Sequence, residues 1–252
     1  AGGREPYVRY AWLDGIQVMA ARSREGSADG FYLAAKGGHN AESHNHNDVG
    51  NFVVYRDGRP VLVDAGVGTY DRKTFSEKRY DIWTMQSQYH NLPTVNGVMQ
   101  SNGRRFEARD VRYRPGKAQT VFELDIAAAY PPKAGLQEWR RRFTVRRSDG
   151  ILIEDSYRCA KRPRSLVLNL LTPCRVTCRK GRIVFSPRRL PFGEETGAAT
   201  MVYDDAQLRP VLETIPQTDA SLKATWGSHL VRIRLHAVAP TRDGTLALRF
   251  ER

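Results

Sequence analysis

The feature that most constrains this chain is its punctuation. Short runs of alternating apolar and polar residues recur along the whole length, separated by tight-turn dipeptides. A period of two belongs to strands that bury one face, whereas a buried helix face repeats every 3.6 residues. The runs at 8–13, 16–22, 31–36, 51–56, 59–64, 120–126, 138–147, 151–158, 166–171, 182–185, 200–203, 229–236 and 245–250 read as strands. Asp57-Gly58, Asp149-Gly150, Lys180-Gly181 and Asp243-Gly244 read as hairpin turns. Such turns need positive φ at both central residues, which Asp and Gly tolerate. The best helical candidate, 76–86, is short. Many short strands joined by hairpins predict an all-β fold, a large antiparallel β-sandwich. There is no repeat or linker, and Pro131-Pro132 and the 187–191 stretch read as loops, so 1–252 is expected to be a single β-sandwich domain.

Apolar residues make up 40% of the 252, enough for a sizeable core. No apolar run approaches the ~18 residues of a membrane span, so none is expected. The first residue is Ala and no signal-peptide pattern follows, which suggests a mature or truncated product. The formal charge is +13, carried by 32 Arg and only 8 Lys. The Arg fork grips carboxylate, sulfate or phosphate at two points, so an anionic partner is one reading; a solvated Arg-rich surface is the other. No helix-turn-helix, zinc finger or aromatic RNA-binding signature is visible, and nucleic acid is not expected as a partner. Cys159, Cys174 and Cys178 suit neither a disulfide framework nor a zinc site and read as buried thiols. Arg140–Arg142, beside Trp139, read either as a ligand-facing strip or, preferably, as a charged edge strand.

Four of the six histidines lie between 39 and 90, two of them in His44-Asn45-His46-Asn47-Asp48. On an extended segment 44 and 46 would share a face. A two-residue Asp57-Gly58 loop pairs Arg56 with Arg59 and Asn51 with Asp64, which brings Asp64 to the end where the histidine segment enters. His90 is the nearest downstream imidazole. Two imidazoles and a carboxylate suit zinc, with water as a usual fourth ligand. A hydrogen-bonded His/Asn/Asp network without metal fits the spacing as well. His39 is left without a role, and His229 and His236, in a late strand, read as structural.

Through Gly37-Gly38-His39-Asn40, Glu42-Ser43-His44-Asn45-His46-Asn47-Asp48-Val49-Gly50, Val63-Asp64-Ala65-Gly66, Gln86-Ser87, His90-Asn91, Asn96-Gly97 and Gln100, the sequence resembles the heparinase II/III-like polysaccharide lyases. The remainder, including Trp226-Gly227 and Val231-Arg232-Ile233, agrees loosely with the family's terminal β region. The resemblance implies a C-terminal β domain whose partner, an N-terminal helical toroid, lies outside this chain. It implies a largely structural zinc on His46, Asp64 and His90, with His44 as a catalytic residue in the cleft. It implies β-elimination on an acidic, uronate-containing polysaccharide of glycosaminoglycan or alginate type, in a periplasmic or secreted bacterial protein. The Tyr acid/base and the group that neutralises the uronate come from the toroid in that family, so the domain alone is expected to be inactive.

Tyr80 and Asn45 are candidate substrate contacts, with packing beside Trp83 as the other reading of Tyr80. Gln86, Asn45 and Asn91 are candidate donors to the metal ligands, or simply loop hydrogen bonders. A non-catalytic module that binds acidic glycan is the alternative to the lyase reading. A metal-dependent hydrolase using Glu42 or Asp48 as base is a third, although neither residue sits in a hydrolase motif.

Overall fold

Alternating side chains let each run bury one face, and nearly all of them do so as antiparallel strands. The computed structural model describes residues 6–148, 150–191 and 193–251, so Asp149 of the expected Asp149-Gly150 turn lies outside the described residues. In chain order the strands are β1 (Tyr10–Leu13), β2 (Val18–Arg22), β3 (Phe31–Lys36), β4 (His39–Asn40), β5 (Phe52–Arg56), β6 (Arg59–Leu62), β7 (Pro93–Val95), β8 (Gly103–Glu107), β9 (Arg109–Arg114) and β10 (Gln119–Asp125). They continue as β11 (Leu136–Arg146), β12 (Gly150–Cys159), β13 (Leu166–Thr172), β14 (Arg175–Arg179), β15 (Arg182–Ser186), β16 (Ala199–Tyr203), β17 (Leu208–Pro216), β18 (His229–Ala237) and β19 (Asp243–Glu251). One short helix, α1 (Ala220–Trp226), is capped by the Asp219 carboxylate, which accepts from the Leu222 amide. Among the described residues no helix is long and apolar enough to cross a membrane.

Four sheets result. Eight strands run in the order β14-β15-β16-β19-β12-β11-β10-β9, five in the order β1-β2-β3-β5-β6, four in the order β17-β18-β13-β7, and β4 pairs with β8. The five-stranded sheet packs on the eight-stranded one: Phe52 of β5 meets Phe143 of β11 edge-on at 5.3 Å, and Phe143 stacks on Phe122 of β10 at 6.0 Å. Trp12 of β1 reaches Phe122 at 5.5 Å. β13 is buried at every position, which is why Leu166–Thr172 does not alternate: it is apolar but for Thr172 and Asn169, whose amide is satisfied by the Leu92 carbonyl.

Several expectations need correction. Arg140–Arg142 do not lie on an edge: β11 is an interior strand, between β12 and β10. Arg141 is buried and forks onto Asp155 of β12, with Nε–Oδ1 and Nη2–Oδ2 both at 2.7 Å. An inward-facing Arg interrupts the apolar face only because β12 supplies the matching carboxylate. Asp243-Gly244 is not a turn but the start of β19, where Gly244 pairs with Tyr157 and a Cβ would sit 3.0 Å from the Tyr157 hydroxyl. Cys178 is exposed on the edge strand β14, while Cys159 and Cys174 are buried. The 76–86 stretch forms two 3₁₀ turns, Glu77–Asp81 and Trp83–Met85, not an α-helix.

β4, β7, β8, β9, β14 and β17 were not legible as strands. β7 and β17 contain proline, and β8, β9 and β14 are too charged to alternate. The Asp57-Gly58 turn is as expected, with φ of 51° and 74°, and Arg56 faces Arg59. A bulge then shifts the register, so that Val54 faces Leu62 and both strands end before Asn51 and Asp64 can pair by backbone.

Candidate metal centre and the histidine loop

Three segments meet at the open end of the β5–β6 hairpin. The first is the loop after β4, which carries His46. The second is the residue pair beyond β6, Val63-Asp64, anchored by the Val63 amide to the Leu171 carbonyl of β13. The third is the 3₁₀ turn Ser87–Tyr89, which ends at His90. Their ligand atoms lie within 4.8 Å of one another. His90 Nδ1 is 2.9 Å from Asp64 Oδ2, and the His46 and His90 rings are 5.4 Å apart.

Burial would raise the Asp64 carboxyl, but the His90 imidazole, with smaller help from His46 and the Gly66 amide, holds it well below the usual carboxylate range. Burial would lower His90; the Asp64 charge and hydrogen bond outweigh it and raise the imidazole above its ordinary value. Burial pushes His46 down, and His90 adds to the shift, which favours the neutral imidazole that a metal ligand needs. His90 Nε2 is buried with no hydrogen-bond partner. A buried polar atom left unpaired is costly, so this nitrogen, beside a second imidazole and a carboxylate, fits a bound cation. Two nitrogens and one oxygen are a borderline-soft donor set of the kind zinc accepts.

The surrounding polar residues divide into two groups. Asn51 touches a ligand directly: its Nδ2 donates to Asp64 Oδ2 at 2.7 Å, and its Oδ1 accepts from the Asn91 amide at 2.9 Å. Asn91 touches only backbone. Its Nδ2 donates to the Phe52 and Val63 carbonyls and its Oδ1 accepts from the Leu171 amide, which ties β5, β6 and β13 together. Gln86 likewise donates to the Tyr80 carbonyl and reaches no ligand. The Arg141–Asp155 pair extends into the centre, because Arg141 Nη1 also donates to the Gly50 and Asn91 carbonyls, at 3.1 and 2.7 Å.

The histidine loop is clipped at both ends. Lys36 Nζ lies 2.8 Å from Asp48 Oδ1 and 3.4 Å from Glu42 Oε2. Gln100 pairs with the Val49 backbone in both directions, its Oε1 accepting from the amide at 3.0 Å and its Nε2 donating to the carbonyl at 2.7 Å. Asn40 Oδ1 accepts from the Asp48 amide. Between these clips the chain turns rather than extends, and His44 takes the left-handed φ of 57°, a conformation uncommon outside glycine. His44 and His46 therefore do not share a face, contrary to the extended-segment expectation. His46 turns inward to His90, while His44 is exposed and its Nδ1 lies 3.3 Å from the Tyr70 hydroxyl. The two rings stack at 6.0 Å.

Asn45 and Tyr80 are brought together, Asn45 Nδ2 donating to Tyr80 Oη at 3.3 Å. Arg79 Nε holds the Asn45 carbonyl at 3.0 Å. Tyr70 was missed from sequence: it lies in an irregular stretch and meets His44 only through the fold. His39 Nδ1 accepts from the Ala41 amide within the loop. His229 is held by Ser228 and Arg188, and His236 sits in β18 opposite Val167; neither approaches the centre.

The family model described as heparinase II/III-like, C-terminal, matches residues 13–209. No curated protein matches the chain. Among solved structures, a mutant of the heparan sulfate lyase HepC from Pedobacter heparinus aligns with a TM-score of 0.73 at 16% identity, over 99% of this chain and 37% of that one. A structure of heparinase III aligns with a TM-score of 0.72 at 13% identity, over 98% of this chain and 37% of that one. At such identities the likeness is one of fold. The chain spans little more than a third of these lyases.

Proposed function

Because the chain belongs to the heparinase II/III-like family, matching its C-terminal region, we propose that it is the β domain of a polysaccharide lyase. In this reading it acts on an acidic, uronate-containing polysaccharide by β-elimination. The observation that carries the proposal is the division of labour within one clipped loop. His46 turns inward to Asp64 and His90, and two residues away His44 faces outward beside Tyr70.

In β-elimination a base takes the C5 proton, which lies α to the carboxylate. The electron pair forms the C4=C5 double bond, the C4–O bond breaks, and an acid protonates the departing oxygen. Charge builds on the carboxylate as the proton leaves, so donors fixed there before reaction lower the barrier most. In this reading His44, exposed beside Tyr70, is such a donor. Tyr70 engages its Nδ1, which leaves Nε2 to donate to the uronate carboxylate. Tyr80, half-buried, offers a hydroxyl for sugar hydroxyls, and the buried Asn45 amide donates to that hydroxyl and orients it. His46, Asp64 and His90 would hold one zinc ion, which when bound supplies a fixed divalent charge that cross-links three chain segments. Its role is structural: it keeps the loop from which His44 projects in register.

The remaining acid/base groups are assigned to a helical toroid domain preceding this one, in a periplasmic or secreted bacterial enzyme. The domain alone is therefore inactive. The test is ultraviolet detection of the unsaturated uronate in the two-domain enzyme, over a panel of uronate polymers. The expected outcome is product from the parent and a rate loss of about 10²-fold or more in His44→Ala, typical of removing a general acid–base or charge-stabilising group. A His44→Ala enzyme at full rate, with zinc retained, would remove His44 from the mechanism. Absence of unsaturated product on every polymer, with binding intact, would leave a glycan-binding module.

A further inference from the structure

A hollow of about 600 Å³ opens between β8, the start of β9 and the connection from β10 to β11. That is within the ~300–1,000 Å³ range of small-molecule sites. It shares no lining residue with the metal centre. β8 pairs with β4, and β4 runs into the histidine loop, so one small sheet carries both. We propose that this hollow is a second binding site, for an internal stretch of acidic polysaccharide. The proposal rests on the reading of the chain as a handler of uronate polymers and adds a site which that reading does not contain.

Charge is the first argument. Arg104, Arg105 and Arg109 flank Glu107 in the sequence. Arg104 takes Glu107 at 2.9 Å, whereas Arg109 Nε is 3.8 Å from it, beyond a good hydrogen bond. The Arg105 guanidinium lies 4.9 Å over the Phe106 ring, which orients its fork. Arg105 and Arg109 are both exposed and line the hollow. The Arg105 fork, for which no carboxylate contact is seen among the described residues, and the Arg109 fork, held by Glu107 only at 3.8 Å, suit the carboxylate and sulfate groups of an acidic sugar.

The rest of the lining gives the second argument. It includes Pro131, Pro132 and Leu136, apolar side chains suited to the C–H faces of pyranose rings. Asp125 stands in the same hollow. Its Oδ1 is fixed by the Ala127 and Trp139 amides, so the carboxylate is an oriented acceptor for a sugar hydroxyl. An anionic ligand without hydroxyls would meet only repulsion from Asp125. Single-stranded nucleic acid would need exposed rings for base stacking. The aromatic rings here, Phe106 and Tyr130, are only 7% and 5% exposed.

The experiment is calorimetric titration of the 252-residue chain with a heparin-derived octasaccharide. The Arg105→Ala/Arg109→Ala double variant is expected to bind at least tenfold more weakly, with zinc content and melting temperature unchanged. Raised salt should weaken the parent's binding, as exposed charge pairs are screened. Gln137→Glu, an exposed rim substitution, should weaken binding several-fold and stands in if the double variant is unstable. Unchanged affinity in both variants would overturn the site. So would a DNA duplex of equal charge that binds as tightly as the octasaccharide and is weakened by the same substitutions. In the two-domain enzyme the double variant should keep its rate on short oligosaccharides while its KM on polymer rises. Loss of unsaturated product in the parent would instead strike the lyase reading, without touching the binding result.

Discussion

Replacing Arg141 by Met should nearly unfold this chain and loosen its metal centre at once. Arg141 is buried and makes four hydrogen bonds, two to Asp155, one to the Gly50 carbonyl and one to the Asn91 carbonyl. Met fills similar volume but leaves Asp155 buried with only the Trp139 indole N–H, 3.0 Å away, as a side-chain donor. Breaking one side of a buried ion pair costs about 3–5 kcal/mol. The two carbonyls lose donors as well, at about 1 kcal/mol or more each where water cannot replace them. The expected loss is therefore about 5–7 kcal/mol, against a total stability on the order of 5–15 kcal/mol. Urea unfolding of the zinc-loaded and chelated chain measures it. The double variant Arg141→Met/Asp155→Leu removes the stranded charge and should recover only part of the loss. The Gly50 and Asn91 carbonyls and the Trp139 N–H stay unserved. Arg141→Met within about 1 kcal/mol of the parent, or a fully recovered double variant, would refute the assignment of Arg141 as the tie between sheet and centre.

Other outcomes follow from the same geometry. His46→Ala should abolish stoichiometric zinc in elemental analysis and remove the stabilisation that zinc gives to thermal unfolding. Lys36→Met removes the cation that ties Glu42 to Asp48 across the histidine loop and should weaken zinc binding by about tenfold or more, as loss of ligand-supporting contacts does; competition with a chromophoric chelator reads it. Tyr70→Phe removes the hydroxyl beside His44 Nδ1 and should lower the lyase rate of the two-domain enzyme while leaving zinc content intact. His229 should titrate below the ordinary imidazole range, because burial and then the Arg188 guanidinium disfavour its charged form. Its folded value is depressed, so the unfolded chain takes up the proton first and stability falls slightly as pH drops below about 6.5. Proton-detected NMR titration, with Arg188→Gln as control, should show the resonance moving at higher pH in the variant.

The residues of the centre were legible for a physical reason. His46, Asp64 and His90 sit at the ends of local elements, and a hairpin with an Asp-Gly turn brings its two ends together whatever the rest of the chain does. Even the one-residue bulge in that hairpin did not separate Asn51 from Asp64, because a side-chain amide spans the shift. Tyr70 was not legible, since nothing in an irregular stretch says which loop it will face. Arg141 was misread for a related reason. A triplet of arginines looks like a solvated edge, and only the neighbouring strand reveals that the middle one has a buried carboxylate opposite.

By itself the sequence determined the all-β class and most of the strand frames, because alternation and tight turns are local, and its histidine and aspartate motifs singled out the trio that the fold brings together. Tertiary structure alone decided the order of the strands in the sheets, which charged side chains turn inward, and which direction each histidine of the loop faces. Those outcomes depend on partners far along the chain. Asp155 makes Arg141 a core residue, Lys36 closes the loop on Glu42 and Asp48, and Tyr70 meets His44. A side chain's role is set by what it is packed against, and packing is a property of the assembled sheets.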